Sequence, residues 1–249
     1  MADEPGVEPG LEPGAGRPAS GQGARVARPG GSGPSAVESY RWPLVSLVAV
    51  ILPQVLVPSK MREGPPIAVP VIEGAVVLVL LAVAAKPGPV PRAARPLVLT
   101  LVAVLIAANT VAAARLVALV LRSTPAGQTP PTATQLLVTA VTLLATNIVT
   151  FGLLYWQLDG GGPDARRQGA RRHPDFQFPQ TGTEDLGPPG WEPRFPDHLY
   201  VAFTNVVAFS PTDTMPLTHR VKGLMAIQSM ISLGVLAVVL SRVINILPP

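Results

Sequence analysis

The run from Pro96 to Leu121, "PLVLTLVAVLIAANTVAAARLVALVL", is 26 residues with one charge. No soluble helix of ordinary size hides an apolar surface that long, whereas about 20 such residues span a bilayer. Three further runs resemble it: about Ile67–Ala85, Thr134–Leu158 and Val221–Leu247. A fifth, Trp42–Val57, is shorter and contains Pro53, which a membrane helix tolerates when neighbours re-satisfy the freed carbonyl. The runs are Ala- and Leu-rich and do not alternate polar with apolar, which excludes a barrel strand. The expected fold is therefore an all-α membrane protein with about five transmembrane helices. Composition agrees: 48% of residues are hydrophobic and only 14% are charged, against about 25% charged in soluble domains.

Four regions follow. Residues 1–40 carry repeated Glu-Pro-Gly among Pro, Gly, Ala and Ser, too little apolar surface to offset ordering entropy, so a disordered tail is expected. It starts acidic and lacks an apolar run, unlike a signal peptide. Residues 41–158 hold helices one to four, ending in "LLYWQLD", where Tyr155 and Trp156 suit the headgroup interface. Residues 159–197 form a polar loop rich in Arg, Pro and Gly, expected to be partly disordered. The alternative is a small docking segment with Phe176, Phe178, Trp191 and Phe195 on the membrane surface. Residues 198–249 hold a short apolar stretch, a turn and the last long helix.

Charge sets the expected orientation. With the N-terminus inside, 14 of the 19 Lys and Arg lie on the inner side, while Lys60, Arg62 and Arg122 lie outside. Arg115 and Arg242 fall inside helices. That asymmetry puts the N-terminus in the cytoplasm, the C-terminus outside, and the protein in the cell (plasma) membrane. The basic residues flank apolar segments and are not interleaved with stacking aromatics, so no nucleic-acid partner is expected. The expected partners are the lipid bilayer and, for a channel-like protein, further copies of the chain.

The polar residues inside the apolar runs are Glu73, Asn109, Arg115, Asn147, Gln228 and Arg242. Ionisable groups in hydrocarbon are functional candidates by default. Against that, Arg115, Arg242 and Glu73 lie near enough to helix ends to snorkel, and Asn109, Asn147 and Gln228 commonly join helices. Glu73 and Arg115 are a candidate ion pair.

The stretch "HLYVAFTNVVAFSPTDTMPLTHR", residues 198–220, has the plan of a re-entrant loop: a short helix with Tyr200, Phe203 and Val207 on one face, then a turn, then a full-length helix. Its candidate ion or solute contacts are Thr204, Asn205, Ser210, Thr212 and Asp213. The structural reading is a cap in which Ser210, Thr212 or Asp213 starts a helix and Pro211 and Pro216 enforce turns. The segment resembles the pore region of two-helix potassium channels, which reads Thr-Val-Gly-Tyr-Gly-Asp, two residues, then Pro. Asp213 falls on that Asp and Pro216 on that Pro, with Ala208 to Thr212 on the filter. Ser210 and Thr212 stand where the filter has glycines, and Pro211 lies between them, so carbonyl coordination of potassium is not expected. Together with the terminal "VINIL", the stretch also resembles uncharacterised bacterial, actinobacterial-type integral membrane proteins of the domain-of-unknown-function family numbered 1345. That likeness covers about the last 55 residues and implies architecture and location, without an activity.

The chain has no cysteine, so disulfides and thiolate chemistry are excluded. His173, His198 and His219 show no metal-ligand spacing, and no nucleophile elbow or phosphate loop is present. No catalytic residue, metal or cofactor is expected. The resulting reading is a multi-pass membrane protein, either channel-like with an unusual pore loop or a non-transporting scaffold.

Overall fold

The computed structural model describes residues 40–56, 68–84, 94–121, 131–167, 173–182, 186–188, 191–208, 210 and 213–246. The expected tail therefore lies outside the described residues, save Tyr40. The aliphatic runs form helices within three residues of their expected limits: α1 Arg41–Leu56, α2 Ala68–Ala84, α3 Ala94–Leu121 and α4 Ala133–Leu158. Short helices α5 (Pro163–Arg167) and α6 (Pro179–Gly182), the short helix α7 (Phe195–Val207) and the long α8 (His219–Ile246) follow. Two-residue strands, β1 (Phe176–Gln177) and β2 (Met215–Pro216), pair antiparallel, with Phe176 opposite Pro216 and Gln177 opposite Met215. The described chain is otherwise helical or loop.

Three helical stretches are long and apolar enough to cross a membrane: Arg95–Leu121, Ala133–Gly161 and His219–Ser241. The apolar parts of α1 and α2 are shorter. Large apolar side chains point outward on the long helices, among them Trp42 and Leu52 on α1, Leu78 on α2, Val111 on α3 and Met230 on α8. Polar residues point inward: Glu73, Asn109, Asn147, Gln228 and Ser232 are buried. Such a distribution reverses that of a soluble bundle and suits helices solvated by lipid. The threonines of α4 fit this setting. Thr139, Thr142, Thr146 and Thr150 each donate to the carbonyl four residues back, at 2.6–2.9 Å, so these four hydroxyls are not stranded in an apolar medium.

α4 is the central element and packs against α1, α3, α7 and α8. Its start is fixed by a capping box: Thr132 Oγ1 accepts from the Gln135 amide, and Gln135 Oε1 accepts from the Thr132 amide. Its end is a corner of three glycines with positive φ, Gly160, Gly161 and Gly162. At Gly162 a Cβ would also lie 2.9 Å from the Gln157 carbonyl oxygen and 3.1 Å from Arg95 Nε, so space as well as φ demands glycine.

The starts of α1, α3 and α8 gather around this corner. The Tyr40 ring meets Trp156 edge-on, Arg95 Nη2 donates to the Gln157 carbonyl, and Arg220 Nη2 donates to the Leu158 carbonyl. Arg41, Arg95, Arg166, Arg194, Arg220 and Lys222 thus belong to one end of the bundle. Here the fold departs from expectation. Tyr155 and Trp156 are fully buried and face no interface. The described parts of 159–197 form an ordered cap. Phe176, Phe178 and Phe195 are buried in it and Trp191 packs on Phe178, so these aromatics do not rest on a membrane surface.

Candidate functional site

Beneath the cap, α4, α7 and α8 meet in two linked polar clusters. The first is ionic and centres on Asp159. An acidic residue at a helix C-terminus opposes the helix dipole, and the cap supplies what offsets it. Asp159 Oδ1 accepts from the main-chain amides of Asp175 (2.8 Å) and Phe176 (3.3 Å). Asp159 Oδ2 lies 3.1 Å from His198 Nε2. Arg166 Nη1 donates to the carbonyl oxygens of Trp156 and Asp159. The other ring nitrogen, His198 Nδ1, is 2.8 Å from the Arg194 carbonyl oxygen. Both ring nitrogens therefore face oxygen atoms, and the imidazole bridges Asp159 to the Arg194 main chain. The edges of Phe176 and Phe178 wall the imidazole at centroid distances of 5.9 and 5.4 Å.

Asp175 extends the cluster to α8. It is fully buried and takes the Arg220 guanidinium on both carboxylate oxygens, with Arg220 Nε at 2.8 Å from Oδ1. Thr218 Oγ1 donates to the same Oδ1 at 2.7 Å, and the Asp175 carbonyl accepts the Leu217 amide. Bidentate pairing of this kind fixes angle as well as distance. One carboxylate thus ties the corner of α4 to β1 and α7, and its neighbour ties β1 to α8.

The second cluster lies deeper and is built from amides and hydroxyls. Gln228 of α8 is its centre: Oε1 accepts from Tyr155 Oη and Asn205 Nδ2, both at 2.8 Å, and Nε2 donates to the Ala202 carbonyl at 3.0 Å. Asn205 Nδ2 also donates to the Met225 carbonyl, and Ser229 Oγ donates to Asn205 Oδ1. One turn on, Asn147 Nδ2 donates to Ser232 Oγ at 2.9 Å. Asn147 Oδ1 is buried and has no hydrogen-bond partner among the described residues. α7 can sit this close because Gly152 of α4 lies under Leu199: a Cβ there would be 3.1 Å from the Leu199 Cα.

α7 is thereby turned outward. Its expected apolar face, Tyr200, Phe203 and Val207, is exposed at 50%, 48% and 60%, while His198, Thr204 and Asn205 face the bundle. Of the five loop candidates, Thr204 and Asn205 are buried on α7, Ser210 and Asp213 are exposed, and Thr212 lies outside the described residues. β2, directly after them, is held by β1. Of the intramembrane candidates, Asn147 and Gln228 share the amide cluster, whereas Glu73 and Asn109 are buried elsewhere, on α2 and α3. Arg115 is exposed on α3, whereas Glu73 is buried on α2. Arg242 belongs to α8, but its side chain lies outside the description. His198, Asp213 and His219 do not come together, and among the described residues no group of three or more potential metal ligands does.

Sequence reasoning passed over Asp159, Asp175, Arg166 and Arg220, which organise the ionic cluster. The available signal was Asp159 itself, a carboxylate at the wrong end of a helix and directly before Gly-Gly-Gly. No family model matches the chain, and it matches no curated protein and no solved structure.

Proposed function

We propose that the chain is a multi-pass protein of the plasma membrane that acts as a non-transporting scaffold. It crosses five times, with the N-terminus and the arginine-rich cap in the cytoplasm. In this reading α1 and α2, 16 and 17 residues long, reach about 24–26 Å. They fall a few ångströms short of the roughly 30 Å core, a mismatch that local thinning absorbs. Basic residues gather at the cap end, among them Arg41, Arg95, Arg166, Arg194, Arg220 and Lys222, as the positive-inside rule asks of a cytoplasmic face. α7 is a half-length segment with its apolar side to lipid.

The observation that carries the scaffold reading is the closure of the amide cluster. Gln228, Asn205 and Tyr155 spend their hydrogen bonds on one another and on main-chain carbonyls. Polar groups engaged in this way act as interhelical glue. The ionic cluster is likewise engaged with itself, and both members of the Asp159–His198 pair are buried, so neither reads as catalytic. The likeness to the family numbered 1345 adds architecture to this reading and no activity.

A channel-like reading draws on one specific atom, the unpartnered Asn147 Oδ1. Reconstitution separates the two. Liposomes holding the full-length protein should show no cation or anion flux above protein-free liposomes. A flux that falls on Asn147→Ala or Asp213→Ala would overturn the scaffold reading. A reporter fused after Pro249 should report an external C-terminus.

A further inference from the structure

Between α4 and α7 runs an open groove of about 380 Å³, lined by Ala145, Ile148, Val149, Leu199, Tyr200 and Phe203, with Pro196 at its rim. The volume is within the range of small-molecule sites, but the lining offers almost no polar group, which disfavours a soluble solute. Its depth is informative. Val149 and Ala145 lie 10 and 14 residues before Asp159, so the groove floor is about 15–21 Å below the cap along α4. If α4 crosses the bilayer, that depth is hydrocarbon, where acyl chains are the available apolar occupant. The groove also has a charged neighbour. Arg194 is exposed, stands two residues from Pro196, and has no carboxylate partner among the described residues. The acidic residue of that turn, Asp197, is engaged in accepting the Arg194 main-chain amide at 2.7 Å. Tyr200, half exposed, brings a hydroxyl to the same wall.

We propose that the α4–α7 groove seats one acyl chain of a bilayer phospholipid whose anionic headgroup rests against Arg194. The proposal rests on the membrane reading of α4. A single arginine near an anionic headgroup corresponds to about fivefold in affinity.

Native mass spectrometry of the full-length protein in mild detergent, titrated with phosphatidylglycerol and separately with phosphatidylcholine, tests it. The parent should retain phosphatidylglycerol about fivefold better. Arg194→Gln should bring the two lipids to parity, and it leaves the α7 cap intact because that cap uses the main-chain amide. Ile148→Trp should lower retention of both lipids. Ala145→Phe, a second variant that fills the groove, provides the same test if Ile148→Trp fails to fold. Equal retention by the parent, or unchanged retention with a filled groove, overturns the proposal. Recovery in the membrane fraction separates this failure from the other: a protein released without detergent sinks the membrane reading itself.

Discussion

Asp159 offers the sharpest test of how the cap is held. Replacing it with leucine leaves the buried amides of Asp175 and Phe176 without their acceptor and removes the contact to His198 Nε2. Two buried donors left unsatisfied cost about 1–3 kcal/mol each, together about 2–6 kcal/mol. Asparagine should behave differently. Its Oδ1 keeps both amides, and its Nδ2 takes the place of Oδ2 opposite His198 Nε2. What is lost is the charge assistance, about 1 kcal/mol. At about 2–4 °C per kcal/mol for a chain of this size, Asp159→Leu should lower the melting temperature by about 4–24 °C and Asp159→Asn by about 2–4 °C. Tryptophan fluorescence of detergent-solubilised full-length protein reads this directly, because Trp156 packs on Tyr40 and Phe195 beside the corner. A leucine variant that melts within about 2 °C of the parent, or an asparagine variant as damaged as the leucine one, would refute the assignment of this carboxylate as the hub.

Two further substitutions probe the contacts beneath. Gln228→Leu removes three hydrogen bonds, and at about 0.6 kcal/mol each in a membrane setting it should cost about 2 kcal/mol in the same melt; no loss would show that the amide cluster does not hold α7. Gly152→Val sets a branched side chain against the Leu199 backbone and should cost about 1–3 kcal/mol through overpacking, with limited proteolysis detecting a loosened α7.

The long helices were legible because each is a run of aliphatic residues whose burial, in lipid or in the bundle, requires no knowledge of its partners. Asn147 and Gln228 stood out for the same reason, as polar residues inside such runs. The cap was not legible. Phe176, Phe178, Trp191 and Phe195 have no common period, and they are gathered by Asp159 drawing together amides and an imidazole 16 to 39 residues downstream. Pairing over such distances leaves no local pattern. The face of α7 misled in another way. Tyr200, Phe203 and Val207 form an apolar stripe, which in a soluble protein would mark the core. Here the stripe faces out because Asn205 and His198 on the opposite side have partners inside.

The partner of Tyr155 is Gln228, 73 residues later in the chain. On the membrane reading, α4 is therefore synthesised and delivered to the bilayer with its hydroxyl and its Asn147 amide unmatched, and it waits through the whole cap and α7 before α8 arrives. Until then the half-made protein presents a hydrophilic seam to the lipid, and a chain released before Ser232 would carry that seam permanently. The polar seam of α4 is thus closed only by the arrival of α8.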